Sequence, residues 1–323
     1  MRLGFSLGTL LSYSEVIRCA IMADKKGVES IWIPESWARE AFVTLGNIAA
    51  VTEKVRLGTG IINIYSRSPA TIAMATATLD TICKGRAFVG LGASSKTLVE
   101  NWHGQKFSHH ITRMREYVEI IRNVVKGDKV NYEGKITQIK NFKLGFKPHR
   151  NYMPIYIAAT NERMISLSVD VADGVVLFLR PLDELKKTVN RLQEITYNSN
   201  FDIVCIIITA ISNDRELARD KARKTLAFYS AVGNIYSKFL SSHGFRNEIE
   251  EITESYKKKG LVDIHKLIPD KMLDAITIAG EPEECKKKIN KFIRTGISLP
   301  VIQFNPVNEA EYSFKDILET FME

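Results

Sequence analysis

The chain has 323 residues, of which 45% are hydrophobic and 25% are charged, and its formal net charge is +8. These proportions are ordinary for a globular protein that buries a large core. The basic residues are spread over predicted helix faces, as at 221–224, 257–259 and 286–288. Nucleic-acid binding is not predicted, because it favours a basic stripe with interleaved aromatic residues. We expect the excess positive charge to steer an acidic small ligand towards the protein.

The cysteines and the apolar segments predict a cytoplasmic protein. Cys19, Cys83, Cys205 and Cys285 lie far apart within apolar patterns, which predicts buried free thiols and neither disulfides nor a metal site. The chain enters a strand pattern directly, so no signal peptide is expected. The longest apolar stretch, 203–211, is about half as long as a membrane helix, so no membrane partner is predicted.

Short apolar runs alternate with helical patterns along the chain. The runs are rich in β-branched residues and mostly apolar throughout, which is typical of strands buried on both faces. They predict strands at residues 3–7, 30–34, 55–62, 87–92, 154–159, 174–178, 202–210 and 299–304. Between them, Ser14 begins a helical pattern, and Ser68-Pro69 is typical of an N-cap followed by a first-turn proline. Pro181 and Pro282 open two further helices.

Two insertions interrupt this alternation. Residues 127–146 predict a hairpin that turns at Glu133-Gly134. Residues 228–275 predict a helical insertion before the last βα unit. No linker is evident, so residues 1–323 are predicted to form a single domain. Strands alternating with helices predict parallel βαβ units that close into an α/β (β/α)8 TIM barrel with insertions. An open Rossmann sheet is the alternative, but the turn after the first strand reads GTLLSY and lacks its glycine fingerprint.

Barrel enzymes carry their sites on the loops after the strands, and several of these loops resemble those of a known family. They read RLGTGIINIYSRSPATIAMATATLD from residue 56, GRAFVGLGASS from 85, PIYIAAT from 154 and VADGVV from 171. They resemble the bacterial-luciferase-like family, and within it the coenzyme F420-dependent branch, which includes the methylenetetrahydromethanopterin reductases. Other members of the family use FMN. The resemblance is continuous from residue 1 to about residue 180 and weak beyond it.

The resemblance implies a non-proline cis peptide bond at Gly60-Ile61. In the family this bond makes an apolar bulge behind the central ring of the deazaflavin, and Asn63 lies in the same cofactor-binding segment. Taken alone, Gly-Thr-Gly indicates only a strand end that bends. The whole string as far as Pro69 favours the cofactor site.

The resemblance also implies a phosphate site near the later strands. Small residues let backbone N–H groups approach a phosphate, and the helix that begins near Glu162 presents its positive end. Many family members have glycine where this chain has threonine and asparagine, and barrel packing is the alternative reading of the alanines. The implied cofactor-binding residues are Ala158, Ala159, Thr160, Asn161, Gly174 and Val175.

Two further residues are candidates for catalysis. Glu35 matches an acidic residue near the cofactor in the F420 enzymes, and a carboxyl group beside Trp32 and Trp37 could have a raised pKa and transfer a proton. The alternatives are a helix-capping role or a surface ion pair with Arg39. Ser95 stands at or beside a position where relatives carry an acid. Because serine is a poor general acid, this departure puts the relatives' specific reactions in doubt.

The predicted function is hydride transfer between F420 and an unidentified organic substrate, resembling methylenetetrahydromethanopterin reductase. The positive charge agrees with an anionic cofactor that bears a phosphate and a glutamyl tail. One alternative is an FMN-dependent monooxygenase, and another is a non-catalytic cofactor-binding protein or structural subunit. The resemblance implies a homodimer or a higher homo-oligomer, and the apolar helix face of Ala70, Ala73, Met74 and Ala77 suits either a subunit interface or the core.

Overall fold

The computed structural model describes residues 2–322. Numbered in chain order, its strands are β1 (Gly4–Ser6), β2 (Ser30–Ile33), β3 (Arg56–Thr59), β4 (Ile62–Asn63), β5 (Ala87–Gly92), β6 (Val130–Glu133), β7 (Gln138–Phe142), β8 (Ile155–Ala158), β9 (Gly174–Phe178), β10 (Asp202–Ile211), β11 (Ile278–Gly280) and β12 (Leu299–Phe304). Apart from the hairpin β6–β7, the strand pairings that follow are parallel.

Helices fill the connections between the strands. They are α1 (Tyr13–Lys26), α2 (Ala41–Val51), α3 (Pro69–Ile82), α4 (Lys96–Trp102), α5 (His110–Val125), α6 (Glu162–Val171), α7 (Leu182–Ile195), α8 (Arg215–Val232), α9 (Asn234–Ser242), α10 (Arg246–Lys259), α11 (Asp270–Ile276), α12 (Pro282–Ile293) and α13 (Ala310–Phe321). The predicted start of α3 is confirmed: the Ser68 side chain accepts a hydrogen bond from the Thr71 amide, and Pro69 is the first helical residue.

Residue contacts group the chain into two compact units. The first unit comprises Met1–Met22, Leu177–Thr196 and Ile203–Glu323, and the second comprises Ala23–Val176 and Tyr197–Asp202.

The second unit contains the strand order β2-β3-β5-β8-β9. Trp32 is in register with Gly58, Val89 with Ile155, and Ile157 with Val175. The short strand β4 pairs with the end of β5. These strands are almost wholly buried, as the continuous apolar runs predict. Their carboxyl ends lie at one edge of the sheet, because parallel strands run in the same direction.

The first unit contains the strand order β11-β10-β12-β1. Ile207 of β10 is in register with Ile302 of β12, which is in register with Phe5 of β1. Helices α8 to α11 pack into one apolar cluster with buried residues that include Leu226 and Ile252. The helical insertion predicted at 228–275 is therefore confirmed.

Most predicted strands match the observed ones to within a residue or two, and those at 87–92, 174–178 and 299–304 match fully. The predicted strand at 55–62 is wrong as a single element, because the chain leaves the ladder at residues 60 and 61 and resumes pairing as β4. Strand β11 was not predicted. The hairpin at 127–146 is confirmed, with Glu133 opposite Gln138.

The four cysteines are free and buried, as predicted. Burial raises the pKa of Cys205 to about 12, so this thiol is protonated and unreactive at neutral pH. Within residues 2–322, no helix combines the length and the apolar character required to cross a membrane.

Asp24 fixes the turn that leads into β3, and it gives a testable pH dependence. Its carboxylate accepts hydrogen bonds from the amides of Glu53 (2.9 Å), Lys54 (2.8 Å) and Val55 (2.7 Å). Burial opposes the charged form, but these three bonds, with a further contribution from Arg86, outweigh it and lower the pKa of Asp24. A lowered pKa in the folded state means stabilisation that is present above the unfolded-state pKa of about 3.9 and lost as the pH falls through the folded-state pKa.

Asp24→Asn is therefore expected to lower the free energy of unfolding by about 2 kcal/mol at pH 7, the usual range for hydrogen bonds to a charged group. Urea denaturation of both proteins at pH 7 and pH 3 measures this. The difference between the two proteins should shrink at pH 3. An equal difference at both pH values would show that the charge of Asp24 contributes nothing.

Candidate functional site

The candidate site is built at the carboxyl ends of β3, β4 and β5. The peptide bond between Gly60 and Ile61 is cis, as the resemblance implies. The backbone on either side is fixed by neighbouring strands: the Gly60 amide donates to the Ile33 carbonyl (2.8 Å), and the Glu35 amide donates to the Ile61 carbonyl (3.3 Å). The segment between β3 and β4 is thus bonded on both sides of the cis bond to the end of β2.

Two glycines of β5 make room for the Ile61 side chain. A Cβ atom at Gly92 would lie 2.3 Å from Ile61 Cδ1, and one at Gly90 would lie 2.9 Å from Ile61 Cγ2. The same position at Gly92 is 3.7 Å from the Cβ of Ala158. Ile61 is predicted to contact the ring of the cofactor, and Ala158 to lie near its phosphate. Both side chains lie next to Gly92.

Asn63 lies beside this cluster at the end of β4. Its side chain is 7% exposed, and its Oδ1 accepts a hydrogen bond from the Tyr65 amide (2.8 Å). This bond shapes the turn that leads out of the strand, as asparagine side chains commonly do. The observed function of the Asn63 carbonyl is structural, and its contact with a cofactor stays a prediction.

The predicted phosphate loop follows β8 and enters α6. The Ala159 amide donates to the Val176 carbonyl (3.1 Å). Because this hydrogen bond belongs to the sheet, the amide is not available to a phosphate. Asn161 is the N-cap of α6, and its Oδ1 accepts from the Met164 amide (3.0 Å). Any phosphate held here would depend on Thr160 and on the remaining amides of the first turn of α6, whose dipole favours an anion.

Gly174 and Val175 lie away from that loop. They begin β9, in register with Tyr156 and Ile157, whereas Ala158 ends β8. A Cβ atom at Gly174 would lie 2.6 Å from the Asp202 carbonyl oxygen and 2.7 Å from the Tyr156 ring. The glycine is needed for packing at the amino ends of the strands. The expectation that these two residues share a phosphate site with Ala158 is thus at odds with the strand direction.

Glu35 is held by Arg67. Its two carboxylate oxygens accept from the guanidinium at 2.5 and 2.9 Å, and Oε2 also accepts from the Ala41 amide (2.9 Å). The side chains are only 14% and 17% exposed, and Arg67 also pairs with Glu40. The hydrogen bond that Arg67 donates to Glu35 is the main reason that the pKa of Arg67 lies above its usual value. Both oxygens of the Glu35 carboxylate are therefore occupied by hydrogen-bond donors of the protein, in the bidentate geometry typical of arginine and carboxylate.

The two tryptophans near Glu35 in the sequence have different environments. Trp32 is 1% exposed and packs against Phe88 and Tyr156, whereas Trp37 is 51% exposed and contacts Trp102. A Cβ atom at Gly60 would lie 2.8 Å from Trp32 Cβ. Trp32 therefore packs directly against the chain where it bends at Gly60-Ile61.

Ser95 is the N-cap of α4, and its hydroxyl accepts from the Leu98 amide (3.4 Å). The preceding residue, Ser94, has a left-handed backbone with φ of 60°. Ser95 therefore has an observed capping function, and its part in a reaction stays a prediction.

Two features of the site escaped the sequence interpretation. The first is the pairing of Arg67 with Glu35, for which the only signal was a basic residue inside the string that carries the resemblance. The second is the pair of glycines at 90 and 92, two residues apart on one strand. That spacing places both on the same face of β5, which could have indicated a large side chain packed across them.

Comparisons with known proteins identify a family. A family model described as luciferase-like monooxygenase matches residues 2–299. A 5,10-methylenetetrahydromethanopterin reductase of Archaeoglobus fulgidus is 30% identical over 318 residues, which cover 95% of this chain and 94% of the relative. A putative coenzyme F420-dependent oxidoreductase of Mycobacterium tuberculosis is 27% identical, with 94% of this chain and 96% of the relative covered.

Solved structures show the fold. The structure of a coenzyme F420-dependent tetrahydromethanopterin reductase from Methanopyrus kandleri superposes with a TM-score of 0.90 at 23% identity, covering 99% of this chain and 98% of that one. An F420-dependent secondary alcohol dehydrogenase superposes with a TM-score of 0.79 at 19% identity, again covering 99% of this chain and 98% of that one. The predicted α/β TIM-barrel fold is confirmed.

Proposed function

Since the chain belongs to the luciferase-like monooxygenase family, a family of oxidoreductases, we propose that it binds coenzyme F420 and transfers a hydride between it and an organic substrate. The observation that carries the proposal is the position of Ile61. Its side chain lies across Gly90 and Gly92 and meets Ala158 at the carboxyl ends of the strands, where TIM-barrel enzymes hold their ligands. A relative and a solved structure whose names include coenzyme F420 cover 94% and 99% of this chain.

The residues present fit a tricyclic ring with an acidic tail. Gly90 and Gly92 leave no space for side chains of their own, so Ile61 is the apolar surface at this edge of the sheet. We propose that Ile61 supports one face of the ring, and that Thr160 with the amino end of α6 receives the phosphate. When bound, F420 would supply the hydride chemistry, and the protein would supply orientation and electrostatics.

We propose a positioning function for Glu35 in place of proton transfer. Its amide donates a hydrogen bond to the Ile61 carbonyl, and its carboxylate forms an ion pair with Arg67. Glu35 thereby connects the bulge at Gly60-Ile61 to the loop that leads into α2. Ser95 caps α4, and we keep it as a candidate for a hydrogen bond to the substrate.

Parallel titrations with F420 and with FMN test the proposal. We expect saturable binding of F420, at an affinity at least about tenfold higher than that of FMN, a difference of 1.4 kcal/mol. Absorbance and fluorescence of the cofactor report binding. Preferential binding of FMN would favour the monooxygenase instead. Binding without turnover by the purified homomeric protein would favour a non-catalytic cofactor-binding subunit.

We also propose a cytoplasmic homodimer. Ala73 and Ala77 of α3 are buried within the chain, so their small size is explained by core packing. Met74 of α3 and Val43 of α2 are 46% and 66% exposed and support an interface on these helices instead. Size-exclusion chromatography with light scattering should give twice the mass of the chain, and a monomer would contradict the proposal.

A further inference from the structure

Arg113, in the second turn of α5, is a partly buried cation held by aromatic rings. Its guanidinium carbon lies 4.7 Å from the centroid of the Tyr65 ring and 6.0 Å from that of the Tyr117 ring. Its Nε atom is buried and has no hydrogen-bond partner within the part of the chain that the structure describes. The rings thus contact the guanidinium without neutralising its charge.

The two tyrosines cannot serve as counter-ions. The Tyr65 hydroxyl donates to the Ser108 carbonyl (2.8 Å), and the Tyr117 hydroxyl donates to the Arg67 carbonyl (3.1 Å). Burial is the main cause of a raised pKa at both phenols. Both therefore remain neutral, and their protons are committed to backbone carbonyls.

The carboxylates on neighbouring elements are committed to other partners. Glu35 and Glu40 pair with Arg67, and Asp170 pairs with Arg115. Glu116, which is 4% exposed, accepts from the backbone amides of the hairpin turn at 135–137. Between residues 2 and 322, Arg113 consequently has no ion-pair partner, which is unusual for a partly buried charge.

The location of Arg113 connects it to the candidate site. Tyr65, which lies under the guanidinium, donates its amide to Asn63 Oδ1 at the end of β4. Tyr117, on its other side, bonds to the backbone of Arg67, whose side chain holds Glu35. Both tyrosines therefore link Arg113 to the segment that carries the Gly60-Ile61 bend.

We propose that Arg113 binds a carboxylate or phosphate group of a ligand held at the candidate site. The planar guanidinium carries N–H groups whose spacing matches the two oxygens of such a group. The inference rests on the proposed function, because that function supplies the ligand. The anion has two sources to distinguish: the acidic tail of the cofactor, whose phosphate is assigned to Thr160 and α6, or an acidic group of the substrate.

The test uses the full-length protein, Arg113→Gln and Arg113→Lys, with Arg115→Gln as the matched control two residues along the same helix. Each protein is titrated with F420 and with the deazaflavin that lacks the phosphate and acidic tail. Each is also titrated with succinate and inorganic phosphate, both in the presence and in the absence of F420. Deazaflavin fluorescence and calorimetry report binding. Thermal unfolding establishes that each variant folds.

If the anion belongs to the cofactor, Arg113→Gln weakens F420 binding by about tenfold to a hundredfold, the range for one charge-assisted hydrogen-bonding group, and leaves the tail-free deazaflavin unchanged. If it belongs to the substrate, both deazaflavins bind as before, while succinate or phosphate binding is lost to a similar extent. Arg115→Gln should stay within about twofold of wild type in every titration.

Unchanged binding of all the probes in Arg113→Gln would overturn the assignment. If the glutamine variant does not fold, Arg113→Lys decides. It keeps the charge and loses the planar fork, so it should weaken the same probe by about threefold to tenfold, and unchanged affinity would overturn the assignment. Failure of the wild type to bind either deazaflavin would instead contradict the proposed function. Phosphate titrations of the wild type and Arg113→Gln without cofactor would then test anion binding by Arg113 separately, and equal affinities would overturn the assignment.

Discussion

Alanine at position 90 is expected to lower the free energy of unfolding by about 3 kcal/mol, the upper range for an overpacked core. A Cβ atom there would lie 2.3 Å from the Thr59 carbonyl oxygen and 2.9 Å from Ile61 Cγ2. The obstacle is backbone, which cannot rotate away as a flexible side chain does. The Thr59 side chain also bonds to both the Gly90 carbonyl (2.8 Å) and its amide (2.9 Å), so the two strands cannot separate without losing these bonds.

Gly46→Ala is the matched control for this prediction. Gly46 lies inside α2, and no atom approaches the position of its Cβ within 4 Å. Alanine there should stabilise the protein by about 0.5–1 kcal/mol, because it restricts the unfolded chain and favours the helix. Urea denaturation measures both variants. A Gly90→Ala protein as stable as wild type would show that Ile61 is not packed against β5 as described.

Arg67→Gln is expected to have the second large effect. It leaves the Glu35 carboxylate without its bidentate partner in a position where that side chain is 14% exposed. Breaking a fully buried pair costs about 3–5 kcal/mol, and partial solvent access reduces this to about 2–3 kcal/mol. We further expect F420 affinity to fall by about tenfold, because the Glu35 amide holds the Ile61 carbonyl.

An exposed ion pair provides the comparison. Arg18 and Glu311 are 46% and 47% exposed, so Arg18→Gln should change the free energy of unfolding by no more than about 1 kcal/mol. Urea denaturation and F420 titration are run on both variants. If Arg67→Gln lost stability but bound F420 as tightly as wild type, the ion pair would have no function in positioning the bulge.

The fold was largely predictable because its strands are buried on both faces. Continuous apolar runs such as 87–92 and 299–304 have few other interpretations, and both coincide with observed strands. Strand β11 was missed because three residues, Ile278–Gly280, are too short to show any periodicity. The break between β3 and β4 was missed as an element boundary because Gly60 and Ile61 continue the apolar pattern of the strand.

The candidate site was predictable where local sequence determines local geometry or where the family resemblance supplied it. The start of α6 near Asn161 follows from adjacent residues, whereas the cis bond at Gly60-Ile61 was implied by the resemblance. The partner of Glu35 lies 32 residues away along the chain, and no local pattern selects Arg67 over Arg39. Gly174 and Val175 were expected at the phosphate site from the family resemblance, although their place at the beginning of β9 points to the opposite strand end.

The crystal structure of the protein with bound F420 tests the central claim most directly. Our account predicts that the central ring contacts the Ile61 side chain at van der Waals distance, about 4 Å, and that the phosphate lies at Thr160 and the amino end of α6. Electron density for the ring at a site remote from Ile61, or a phosphate at the amino ends of β8 and β9, would contradict it.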